Sequence, residues 1–246
     1  MPAQQGFSLL ELLLGMLLSL SVVSLLLMQV MGIQRDAEII FVQTQATVES
    51  YWIIELLRTR VHAAGFTPCR RIDQLTAIDA RFNPQPLLPL EVPSSLASQV
   101  FIRRMANNYA RISQGSNRRL IWVESEHVVN NRPIIVADCE HAEVHGIAHL
   151  SPSRRGTLVE LTEPLVYRYP GSAFAGEWVT DRFFLKKTRD NGMALYYQHH
   201  RVDRLSFWIN RFAVATRAKA GQMGLHIELA VDDSLLWAVD LRVRSR

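Results

Sequence analysis

Hydrophobic and polar positions divide the chain into three stretches with different periods. From Leu12 to Gln34 no residue is charged, a run of 23 bounded by Glu11 and Arg35. As an α-helix that run spans about 34 Å, enough to cross the hydrocarbon layer of a bilayer. Beyond Arg35, apolar residues such as Ile39, Val42, Ala46, Ile53, Leu57 and Val61 keep a roughly helical spacing, while Gln43, Glu49, Glu55 and Arg58 occupy the gaps. No proline occurs between Phe7 and Thr67. One helix from about Ser8 to Ala64 is therefore expected, apolar all round over residues 7–34 and amphipathic over 35–64. Gly65 supplies a C-terminal stop, with Pro68 just beyond it.

After Cys69 the helical period disappears. Residues 73–99 hold Pro84, Pro86, Pro89 and Pro93 and read as an irregular loop with short turns. From Leu120 onward the text becomes strand-like: Leu120–Val123, Ile134–Ala137, Thr157–Leu161, Trp178–Lys186, Ala194–Gln198, Leu205–Phe212, Gly224–Val231 and Leu235–Val243. Asp190-Asn191-Gly192 is a hairpin signal and Val231–Ser234 a second turn. The expected class is α+β: a long N-terminal helix packed on a mostly antiparallel β-sheet domain over residues 65–246.

Composition adds an asymmetry rather than a class. Hydrophobic and charged contents of 48% and 20% are ordinary, yet every Lys lies beyond position 185. A membrane segment followed by a globular domain explains this better than a uniform globule does. The net charge of +4 is mild, and the Arg pairs at 70–71, 103–104, 118–119 and 154–155 are scattered, as solvated surface would be. Nucleic-acid binding, which needs cations gathered on one face, is not favoured. Cys69 and Cys139 are too few for a thiolate zinc site. In an exported domain an intramolecular disulfide is their natural reading.

Glu11 changes the reading of the apolar run. A secretory signal peptide has a shorter apolar region with basic residues before it, so an uncleaved anchor is the simpler alternative. An anchor, however, has no use for a carboxylate at membrane depth, which costs roughly 2–3 kcal/mol at a helix centre. Gly6-Phe7-Ser8-Leu9-Leu10-Glu11, followed by the apolar tail, resembles the type IV prepilin signature G-F-[ST]-x-x-E. The resemblance implies a leader of residues 1–6, cleavage after Gly6 by a membrane aspartyl peptidase, and methylation of the new amino terminus at Phe7. Glu11 would then pair with the N-terminal ammonium of a neighbouring subunit. Unlike most such leaders, Met1–Gly6 carries no Lys or Arg, so orientation follows from the resemblance and not from the positive-inside rule.

Two later segments resemble PilW-type minor pilins: Leu57–Cys69, where an arginine-containing helix runs into Ala64-Gly65-Phe66 and then Cys69, and Ile134–Val144, an apolar strand ending in Asp138-Cys139-Glu140-His141-Ala142. The resemblance implies a type IV pilin-like fold in which a Cys69–Cys139 disulfide ties the helix end to the sheet. It implies a minor pilin that helps to initiate a pilus or cap its tip. The chain would sit in the inner membrane with its C-terminal domain in the periplasm, then in the pilus. Partners would be other minor pilins, the major pilin, the prepilin peptidase, the assembly platform and, at the tip, an adhesin. A J-type pseudopilin of type II secretion shares the signal, and a DNA- or ligand-binding module on a pilin anchor is a rival from another class.

Other chemistry is weaker. His141, His145 and His149 recur every four residues, a ligand spacing on a helix, but the text around them reads as strand and turn. They are expected to face solvent, with no metal and no cofactor. No G-x-S-x-G, H-E-x-x-H or glycine-rich phosphate loop is present, so no enzyme is expected. The aromatic residues between Trp178 and Phe212 are expected to pack the core. A stacking platform for single-stranded DNA is the alternative.

Overall fold

The computed structural model describes residues 9–81, 85–93, 98–114, 118–125, 128, 131–169, 172–189, 192–219, 222–230 and 236–243. The chain divides into two compact units, Met1–Val48 and Glu49–Arg246. A helix, α1 (Leu9–His62), begins in the first and ends in the second. In the first unit every side chain from Leu9 to Phe41 is exposed. Ser19 and Ser21 donate their hydroxyls to the carbonyls of Gly15 and Leu17, both at 2.8 Å. These hydroxyls can therefore enter an apolar medium with a partner already in hand.

In the second unit α1 closes on Gly65, which has φ +70°, and Gly65 N–H donates to Arg103 O at 2.8 Å. A Cβ there would stand 2.9 Å from Pro89 Cβ, so both conformation and space require glycine. A 3-10 turn at Ile72–Gln74 leads into the strands. They are β1 (Thr76–Asp79), β2 (Gln85–Pro86), β3 (Leu90–Glu91), β4 (Gln99–Met105), β5 (Ala110–Gln114), β6 (Leu120–Val123), β7 (Ile134–Ala137) and β8 (His141–His145). Then come β9 (Ile147–Ser153), β10 (Gly156–Leu161), β11 (Ala173–Lys187), β12 (Met193–Gln198), β13 (Val202–Ser206), β14 (Arg211–Lys219), β15 (Gln222–Ala230) and β16 (Leu236–Arg242).

Strand β11 organises the domain. Its first residues pair with β7 and β5, inside a sheet ordered β2-β1-β8-β7-β11-β5-β6-β10-β9. Its second part, from Trp178, pairs with β4 and β12, which carry β3 and β13 on their far sides. A separate sheet runs β14-β15-β16. All described pairings are antiparallel except β1 with β8. The expected α+β class therefore holds in its coarse form, a long apolar N-terminal helix and a mostly antiparallel β domain.

The core explains why α1 must be amphipathic at its C-terminal end. Ile53, Leu57, Val61 and Ala64 recur at helical spacing and are buried against Phe183, Leu195, Ile209 and the inner residues of β14 and β15. Ile53, Leu57 and Val61 each stabilise the fold by about 1.5–3 kcal/mol when fully buried, and the single methyl of Ala64 by less. A second core lies between β5, β6, β7 and β10, and a third joins Ile72, Met105 and Trp178 to β7 and β8.

Three expectations are corrected. Residues 73–99 are not wholly irregular, because β1, β2 and β3 lie there. Leu205–Phe212 is not one strand: Ser206 Oγ accepts the N–H groups of Trp208 at 3.0 Å and Ile209 at 3.4 Å, and this turn separates β13 from β14. Phe207 is 61% exposed rather than in the core. Asp190, Asn191 and Val231–Ser234 lie outside the described residues. The strands flanking both turns pair antiparallel, at Lys187↔Met193 and Ala230↔Leu236.

Candidate functional site

Of the N-terminal candidates, Gly6, Phe7 and Ser8 lie outside the described residues. Glu11 lies in the first turn of α1, where the helix dipole favours an acid. It is exposed among Leu9, Leu10, Leu12, Leu13 and Leu14, each more than half exposed. No ion pair to Glu11 occurs among the described residues. Exposed apolar surface continues along α1 to Ile33, far beyond the few hundred Å² that a monomer in water normally presents. By length and composition α1 can cross a membrane. Gly15 and Gly32 have nothing within 4 Å of a built Cβ, so no contact among the described residues accounts for them.

Cys69 and Cys139 are brought together as a disulfide with a Cα–Cα distance of 5.1 Å. Cys69 follows the end of α1, and Cys139 sits in the turn between β7 and β8. Asp138 Oδ1 holds that turn by accepting the N–H groups of Glu140 at 2.7 Å and His141 at 2.6 Å. The bridge thus joins the segment after the helix to the sheet.

Two buried acid clusters were not legible as sites. Asp181 on β11 is fully buried and collects groups from separate segments. Its Oδ1 accepts from Tyr197 Oη at 2.6 Å and meets His199 Nδ1 at 2.8 Å. Its Oδ2 faces Arg104 Nε at 3.6 Å and Arg60 Nε at 4.0 Å. Arg104 is buried, which corrects the reading of the 103–104 pair as solvated surface. Burial, then the hydrogen bond to Asp181 and its charge, push the Tyr197 hydroxyl well above the usual tyrosine range, against a downward pull from Arg60 and Arg104.

Glu143 is the second centre. It contacts His145 Nε2 at 2.8 Å and accepts the backbone N–H groups of Val166 at 2.8 Å and Tyr167 at 3.2 Å. His145 is fully buried, correcting the solvent-facing expectation, whereas His149 is exposed. On a strand, Glu143 and His145 share one face because side chains alternate. No group of three metal-ligating side chains occurs among the described residues.

Burial and then the nearby Glu143 likewise push Tyr169 far up. Both tyrosines favour the neutral form in the folded chain. Their contribution to stability is complete below the unfolded value of about 10 and falls as pH rises above it. In an alkaline titration followed at 295 nm, Tyr169 and Tyr197 should ionise only together with loss of the near-ultraviolet dichroism. Full ionisation of all six tyrosines of the chain with tertiary structure intact would contradict this.

A groove of about 490 Å³ lies beside the end of α1, lined by Arg58, His62, Phe66, Arg70 and Arg71 among others. Arg58 and Arg71 are already bonded to Glu55 and Asp73. No family model, no curated protein and no solved structure matches the chain.

Proposed function

We propose that the chain is a minor subunit of a type IV pilus that helps to start assembly or cap the tip. The observation that carries this is Glu11, a lone carboxylate in the first turn of a helix that is exposed and otherwise uncharged as far as Gln34, five residues after Gly6. In hydrocarbon an unpaired acid is unfavourable, so a neighbouring helix that supplies a cation there gains both burial and charge pairing. Cleavage after Gly6 would create such a cation, the amino terminus of Phe7, on every subunit. The disulfide and the three-core β domain support the reading, because a domain carried outside the cytoplasm has an oxidising compartment to bridge its cysteines.

Glu11→Leu separates anchoring from assembly. The variant should insert in the membrane as well as the parent, since it removes a charge. Its amount in sheared filaments should fall at least about tenfold, the loss of roughly 1.4 kcal/mol or more of pairing. Unchanged incorporation, measured by immunoblot, would count against the proposal. Deletion separates pilus from secretion: loss of surface pili supports this reading, and a specific block in enzyme secretion supports a J-type pseudopilin.

A further inference from the structure

The outer face of the sheet formed by β3, β4, β11, β12 and β13 carries cations that neither the core nor the N-terminal helix uses. Strand register places Phe101, Arg182, Phe184, Lys186, Tyr196 and Arg204 on one side. Phe183 and Leu195 point the other way, into the core beneath α1. Arg182 is the centre of this face. Its guanidinium carbon lies 4.3 Å from the centroid of Phe184 and 5.3 Å from that of Phe101. Its Nη2 donates to Gln99 Oε1 at 2.7 Å, and its buried Nε has no hydrogen-bond partner.

Nearby acids are engaged elsewhere. Glu91 bonds Arg103 at 2.6 Å, and Asp181 turns inward to Arg104. Among the described residues Arg182, Lys186 and Arg204 form no ion pair. Arg204 instead lies over the exposed ring of Phe207, 3.2 Å from its centroid. A guanidinium held between two rings has already lost rotameric freedom and hydration without gaining a counter-charge. With Nε buried and Nη2 held by Gln99, its Nη1 end is left to meet an incoming carboxylate at little further entropic cost.

We propose that this face docks a partner protein through a carboxylate-rich segment, with Arg182 as the central contact and Lys186 and Arg204 flanking it. Charge complementarity selects an acidic partner, and ring occupancy selects protein over nucleic acid. Phe184 is 9% exposed with Arg182 and the stacked ring of Tyr196 against it, and Arg204 covers one face of the exposed Phe207 ring, so bases find little free aromatic surface on which to stack there. The proposal stands independently of the filament reading.

The test uses the full chain in non-ionic detergent at low salt, titrated with a fluorescein-labelled deca-glutamate peptide and with a thymidine oligonucleotide of equal charge. K186Q/R204Q changes two exposed cations and should weaken peptide binding at least about tenfold; R182Q should weaken it further. R154Q/R155Q, at the exposed turn between β9 and β10, removes the same charge and should change binding less than about twofold. Near-ultraviolet dichroism checks that each variant is folded, and K186Q/R204Q decides the matter if R182Q is not. Absence of peptide binding, equal losses in the two double variants, or tighter binding of the oligonucleotide than of the peptide would overturn the proposal.

Discussion

Asp181→Ala is expected to lower the unfolding free energy by about 3–5 kcal/mol, because it strands a buried cation and two polar groups at once. Asp181 is fully buried, and Arg104 beside it is 9% exposed at the side chain. With the carboxylate gone, Arg104 has no counter-charge, and Tyr197 and His199 lose their shared acceptor. Arg60, at 29%, can turn to water and soften the loss, which sets the lower end of the range. For a chain of this size the change corresponds to a melting temperature lower by roughly 6–20 °C. Asp181→Asn keeps an oxygen for the Tyr197 hydroxyl and should fall between alanine and the parent. Thermal unfolding in detergent, followed by near-ultraviolet dichroism, ranks the three. A loss below about 1 kcal/mol for alanine would show that the cluster is not a structural hub.

Removing the Cys69–Cys139 bridge is expected to cost about 4 kcal/mol, since the closed loop spans 70 residues. The loss arises chiefly in the unfolded chain, which regains the freedom to separate its two ends. Cys69→Ser, Cys139→Ser and the double variant should therefore destabilise alike, as should reduction of the parent. Local contacts such as Thr76 N–H to Glu140 O at 2.9 Å remain and should keep the variants folded at moderate temperature. Unequal losses among the three variants would mean that a side chain, not the cross-link, carries the effect.

How much of this was legible in the sequence depended on whether the determining contact is local. The helix expected from Ser8 to Ala64 runs Leu9–His62, because period, proline exclusion and Gly65 are all local signals. Leu120–Val123 and Ile134–Ala137 form strands with those bounds. β1 escaped because its partner, β8, lies more than sixty residues away and pairs in parallel, with proline-rich text between that reads as loop. The Asp181 cluster escaped for the same reason: residues 60, 104, 181, 197 and 199 converge only in three dimensions. Glu143 and His145 did carry a local signal. Their i, i+2 spacing on a strand puts both on one face, whereas the spacing of four between histidines suggests a helix that does not form.

The N-terminal motif is legible but can be tested only chemically, since Gly6 and Phe7 lie outside the described residues. The most direct measurement is the mass of the mature N-terminal peptide, taken from the protein in a strain with active prepilin peptidase. A chain that begins at Phe7 with one added methyl group on its amino nitrogen is the expected result. An intact Met1, or an unmethylated start at any other residue, would contradict the pilin reading.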